Sequence, residues 1–160
     1  MGQSRLASVD ACAWHNQAWN FLCSCVASSP AEIDDRIREA NHLFRLAPEA
    51  LGISLSIPAA EKAIEAMLSA GGHESAVISL LGRETAFMAS RGLNNSNLAT
   101  VVLPGRTEEF TATGSSLEFA LLAANTAALL NEAAQVLDRS QDDPVTEKRR
   151  AVQEALRRPR

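Results

Sequence analysis

The sequence contains no tyrosine, only two tryptophans and five phenylalanines among 160 residues. A core dominated by large rings is therefore excluded. Burial has to come from 28 alanines and 19 leucines, through many small contacts and close backbone approach. Cysteine is also scarce: Cys12, Cys23 and Cys25 all fall within the first 25 residues. That number and placement exclude a disulfide scaffold, and the odd count predicts a reducing, cytoplasmic setting. Long hydrophobic runs are missing as well. The longest, Leu117 to Leu130, is 14 residues and is interrupted by Glu118 and Asn125, too short and too polar to span a bilayer. No membrane association is expected.

Targeting and modification signals are equally thin. The short apolar run Phe21 to Ala27 follows Asp10, His15, Asn16, Gln17 and Asn20, which breaks the continuous segment that secretion needs. Leu22 to Cys25 only loosely suggests a lipoprotein cleavage site, and Leu6 stands where myristoylation favours Ser or Thr. Asn94-Asn95-Ser96 matches a glycosylation sequon, but without a secretory signal it reads as a polar loop. The sequence has no nucleotide-binding Gly-rich loop, no nucleophile elbow and no zinc-protease pair.

Charge is unevenly spread. Residues 1–146 hold 9 Lys and Arg against 17 Asp and Glu, whereas 147–160 hold 6 against 2. An acidic body repels nucleic-acid phosphates and favours basic protein patches. Lys148, Arg149, Arg150, Arg157, Arg158 and Arg160 form a basic tail, the candidate contact for an anion or partner. The tail has no aromatic residue for base stacking and is interrupted by Glu147 and Glu154, so it is expected to be a solvated end that binds nucleic acid weakly at most.

Hydrophobic periodicity predicts helices first. Ala11, Trp14, Ala18, Phe21, Leu22 and Cys25 recur at helical spacing within a helix over 8–26. Ser29-Pro30-Ala31-Glu32 carries a capping box and an N-terminal proline, opening a helix over 30–46 with Ile33, Ile37, Ala40 and Phe44 on one face. Four-apart pairs Glu32/Arg36 and Asp34/Arg38 are expected on its other faces. Leu51 to Ile57 reads equally as a strand or a linker. Pro58 opens a third helix with Ile64, Met67 and Leu68, stopped by Gly71-Gly72.

Beyond His73 a two-residue period predicts two hairpins. Strands over 74–81 and 85–90 are joined through Gly82-Arg83, and strands over 98–103 and 106–113 through Pro104-Gly105. Gly114 ends the last strand, and Ser115 with Glu118 supplies a capping box for the longest helix, to Arg139. On that helix Glu118, Asn125, Glu132 and Arg139 form one stripe expected to face water, while the rest of the circumference is apolar and calls for burial on two sides. The expected fold is α+β: N-terminal helices, a four-stranded antiparallel sheet of two hairpins, a long Ala/Leu-rich helix packed on the sheet, and a basic C-terminal tail. Residues 1–139 are expected to form one domain, with a helical N-terminal region over 1–56 and a helix-sheet-helix region over 57–139. Residues 140–160 are expected to be polar linker and tail.

Candidate chemistry is sparse. Cys12, His15, Cys23 and Cys25 suggest zinc by type, but on one helix Cys12 and Cys23 are about 16 Å apart along the axis, and Cys23 and Cys25 point to nearly opposite sides. No metal and no cofactor are expected. His42 falls opposite the apolar face of its helix, and Glu108-Glu109, adjacent in a strand, point to opposite faces. Glu61 and Glu65 share a helix face beside Lys62 and read as solvated. No nucleophile, base and orienter can be placed together, so the expectation is a non-enzymatic protein-interaction module, in its most concrete form an acidic inhibitor or adaptor. A protein partner or self-association is expected. The alternatives are a small hydrolase-like enzyme centred on His73 and Glu74, and a nucleic-acid accessory protein acting through the tail.

The order helix, hairpin, hairpin, helix, with Phe110-Thr111-Ala112-Thr113-Gly114-Ser115-Ser116-Leu117-Glu118-Phe119-Ala120-Leu121-Leu122-Ala123-Ala124 at its exit, resembles the small phage-derived α-β-α sandwich proteins of bacterial prophages. The resemblance covers residues 57–137 and implies a bacterial or phage accessory protein, with no site residues to carry over. Thirteen arginines against two lysines fit a GC-rich bacterial coding sequence.

Overall fold

A computed structural model describes residues 3–49 and 60–141. The segment 51–57, the helix start at Pro58 and the basic tail lie outside the described residues. The described chain runs α1 (Gln3–Ala27), a 3-10 turn (Pro30–Glu32), α2 (Ile33–Arg45), α3 (Glu61–Ser69) and α4 (His73–Leu81). It continues through β1 (Ala86–Arg91), a 3-10 turn (Leu93–Asn95), β2 (Asn97–Val102), β3 (Phe110–Gly114) and α5 (Leu117–Gln141).

α1 buries Ala11, Trp14, Ala18, Phe21 and Cys25, alternately three and four residues apart, which makes one continuous stripe. At the entrance to α2 the Glu32 carboxylate accepts from the Ser29 backbone N–H at 2.8 Å and the Ser29 hydroxyl at 3.1 Å. Phe21 of α1 meets Phe44 of α2 edge-to-face, ring centroids 6.4 Å apart. α3 ends in a Schellman arrangement: Gly71 takes φ +72°, its N–H donates to the Leu68 carbonyl at 2.9 Å, and that of Gly72 to Met67 at 2.8 Å.

The four-stranded expectation is wrong in one element. Residues 74–81 belong to helix α4, so the sheet has three strands, in the order β1-β2-β3, antiparallel throughout. The physical reason lies in the burial: Ala76, Val77, Leu80 and Leu81 are buried together, positions i, i+1, i+4 and i+5 of a helix, whereas a strand would separate 76 from 77. Gly82, at φ +85°, ends the helix. The second expected hairpin is present but shorter. Arg106 donates to the Leu103 carbonyl at 3.1 Å across a turn with Gly105 at φ +70°, and β3 starts only at Phe110.

α5 packs on the sheet with one side and on α1 and α4 with another. Its Phe119, Ala120, Leu121, Leu122, Ala123 and Ala124 are all buried, which only a helix covered on two sides achieves. Two details differ from expectation. Ser116, not Ser115, accepts from the Phe119 N–H at 3.3 Å, because α5 starts at Leu117 and Ser116 stands directly before it; the Ser115 hydroxyl donates instead to the Ser28 carbonyl at 2.8 Å, tying the start of α5 to the end of α1. Asn125, expected in a wet stripe, is only 2% exposed, since the stripe passes beneath neighbouring elements at its third turn. Gly114 permits the tight exit from β3: a Cβ there would sit 2.6 Å from the Ala120 nitrogen.

Candidate functional site

The sheet presents two unlike edges. β1 pairs with β2 in an unbroken register from Ala86↔Val102 to Arg91↔Asn97, so no bulge blunts it. All six of its residues are exposed, with Met88 69% and Phe87 42% accessible. The strand has no proline and no carboxylate, and its one charge is the terminal Arg91. Among the described residues no strand pairs with its outer side. β3, at the other edge, is preceded by Glu108 and Glu109, is touched by α1, and leads into the Ser115–Ser28 hydrogen bond. Charged flanks and a covering helix are the usual ways in which an edge is closed to other chains; β1 is flanked by Glu84 and touched by α5, yet all six of its residues stay exposed.

The direction of the free backbone groups follows from one hydrogen bond. Gly92 N–H donates to the Ser96 carbonyl at 2.7 Å, continuing the register by one residue. Hydrogen-bonded pairs alternate along an antiparallel ladder, so Ser90, Met88 and Ala86 turn their N–H and C=O groups to β2. Arg91, Ala89 and Phe87 turn theirs outward. On side-chain orientation, Phe87, Ala89 and Arg91 share the α5 side of the sheet with the buried Asn97, Ala99 and Val101 of β2. Met88 shares the outer side with Leu98, Thr100 and Thr111, the two threonine hydroxyls lying 2.9 Å apart. β1 thus overhangs the helical layer.

The residues singled out for chemistry are dispersed. His73 is the first residue of α4, and its Nε2 lies 2.7 Å from Asp34 Oδ1 of α2, not against Glu74, which is exposed. Asp34 acts on Arg38 only through longer-range charge attraction rather than as a close ion pair. That arginine grips Glu65 of α3 through Nε at 2.7 Å and Nη2 at 3.1 Å, which lowers the Glu65 carboxyl below its ordinary range. Glu61 is exposed; Glu108 accepts from Asn131 Nδ2 at 3.0 Å, a contact between the β2–β3 loop and α5. Arg106 of the same loop reaches Glu132 at 2.7 Å.

A pocket of about 130 Å³ opens between α2 and α3, lined by Arg38, Asn41, His42, Arg45, Glu61, Ile64 and Glu65. Asn41 is 4% exposed, and its Oδ1 is sealed without a hydrogen-bond donor, alone in this among the described side chains. Sequence periodicity gave no hint of it, because Asn41 follows Ala40 on the face that Ile37 and Phe44 also use.

On α1 Cys12 and Cys23 are exposed and Cys25 is buried, its thiol pushed up to about 12 by desolvation. The helix is continuous through all three, and among the described residues no three His, Cys, Asp or Glu side chains converge as a metal site would require. Lys148, Arg149, Arg150, Arg157, Arg158 and Arg160 lie outside the described residues. Among the described residues no helix is long and apolar enough to cross a membrane. The functional signal missed in the sequence was the openness of β1: alternation at 85–90 predicts a strand, but only the position of that strand in the sheet makes it an edge. No protein family, curated protein or solved structure that was compared with the chain matches it.

Proposed function

We propose that this chain is a non-enzymatic protein-interaction module that engages its partner along the β1 edge. The observation that carries the reading is β1 itself: six exposed residues, one row of backbone groups turned away from β2 with no strand partner among the described residues, and Phe87 and Met88 on opposite faces. A strand added there gains main-chain hydrogen bonds and apolar contact on both faces at once. The exit from Phe110 into the Ala/Leu-rich helix, the part of the phage-protein resemblance that the three-stranded sheet leaves intact, and the arginine bias favour a bacterial or phage accessory protein, with an inhibitor or adaptor as its concrete form.

The reading is tested by affinity capture from the native host with the wild-type chain and with Ala89→Pro. Proline at 89 removes an outward N–H and leaves the β1–β2 ladder its bonds. Partner recovery that is lost in the variant is the expected result. Recovery unchanged by the variant places the interaction elsewhere and contradicts the reading.

A further inference from the structure

We infer that the occupant of the β1 edge is a second copy of this chain, paired antiparallel through β1 about a two-fold axis at Ala89; the inference rests on the interaction-module reading above. Its basis is the symmetry of the strand. The outward-facing residues are Phe87, Ala89 and Arg91, evenly placed about Ala89. A two-fold axis perpendicular to the sheet keeps each face continuous and sets Ala89 opposite the partner's Ala89 and Phe87 opposite the partner's Arg91. All three are then hydrogen-bonded pairs, giving about six backbone bonds without calling on any residue outside β1.

Side-chain chemistry selects the same register. Opposed residues in such pairs have Cα atoms about 5.5 Å apart and side chains on one face. The strand's single cation, Arg91, therefore meets the strand's single aromatic ring, Phe87, twice by symmetry, an arrangement that favours a guanidinium over a ring face. Met88 falls opposite the partner's Ser90, so no two long side chains collide. Shifting the centre to Met88 opposes Met88 to itself and sets Arg91 against Thr85, which is buried and bonded to the Leu81 carbonyl. Two acidic bodies repel, but the strand along which they approach carries no carboxylate of its own. The product is a continuous six-stranded sheet. One pair of six-residue strands makes a small contact, so the dimer is expected to form reversibly with concentration.

Sedimentation of the full chain from about 1 µM to about 1 mM tests this. The mass is expected to rise from 17.1 kDa towards twice that value. Ala89→Pro should stay at the protomer mass with an unchanged far-ultraviolet spectrum and melting temperature. Should proline unfold the strand, Ala89→Lys, which opposes two like charges at the axis, serves in its place. Phe87→Ala and Arg91→Ala should each weaken association about tenfold, and the double variant by less than the product of the two. A dimer that survives in both Ala89 variants overturns the inference. A chain monomeric at every concentration also overturns it; if such a chain still captures a different protein that Ala89→Pro releases, the module reading stands and only the second-copy occupant falls. If it captures none, both fall.

Discussion

The Trp14 indole Nε1–H donates to the Leu43 carbonyl at 2.9 Å, so a side chain of α1 adds a donor to one of the last four carbonyls of α2, which also accepts from the Leu46 N–H at 3.2 Å. Trp14 is almost wholly buried, and with only two tryptophans in the chain it is a principal bolt between these helices. Trp14→Phe should lower stability by about 1 kcal/mol for the lost hydrogen bond, and Trp14→Ala by about 3–5 kcal/mol for the cavity as well. Denaturant unfolding checks both, and equal losses would contradict a separate role for the hydrogen bond.

Thiol chemistry should divide the cysteines. Cys12 and Cys23 are exposed, whereas Cys25 is buried with its thiol raised to about 12. Two cysteines should therefore alkylate readily in the native chain at neutral pH, and Cys25 only on unfolding. Mass spectrometry of the labelled peptides reads the result directly; rapid native labelling of Cys25 would mean that α1 separates from α2 and α5.

Asn125 tests whether α5 is enclosed as described. At 2% exposure it cannot accept a charge cheaply, so Asn125→Asp should lose on the order of 3 kcal/mol at neutral pH. The buried carboxyl would have its folded-state pKa raised, so the loss should be relieved as pH falls through that raised value and should change no further below the unfolded pKa. Thermal melts across pH decide it. A neutral effect would show that this face of α5 is wet.

Acid should weaken the chain through Glu32 and Glu65. Both carboxyls lie below the ordinary 4.5, Glu32 through the Ser29 N–H and Glu65 through the Arg38 guanidinium. Lowered folded-state values contribute stability that is present above 4.5 and lost as pH falls through the lower, folded values. Because both groups are exposed the contribution is small, and it should shrink further in salt. Glu65→Gln should flatten the acid limb of a stability–pH curve; an unchanged limb would show that the α2–α3 pair contributes nothing.

How far the fold could be read from the sequence depended on which pattern was unique. The stripe at 11, 14, 18, 21 and 25 admits only a helix, and the Gly71-Gly72 stop and Pro104-Gly105 turn follow from backbone chemistry. Residues 74–81 fit two periods at once: Ala76, Ile78 and Leu80 alternate as a strand would, while Ala76, Val77, Leu80 and Leu81 make a helical face. Tertiary packing chose the helix. Ser115 and Ser116 are both competent caps, and the start of α5 at Leu117, one residue later than expected, decided which served. The candidate site was less legible still, because an edge is a property of strand order, and residues 85–90 say nothing of which neighbours they lack.

The outward backbone groups of β1 are the centre of the proposed function, and amide hydrogen exchange resolved by nuclear magnetic resonance measures them one by one. In dilute solution Phe87, Ala89 and Arg91 should exchange fast, while Ala86, Met88 and Ser90, bonded to β2, exchange slowly. Raising the protein concentration should protect the first three and leave Ala89→Pro unchanged at Phe87 and Arg91. Uniform protection along β1 in dilute solution, or an alternation that neither concentration nor any partner alters, would contradict the assignment of this edge as the interaction surface.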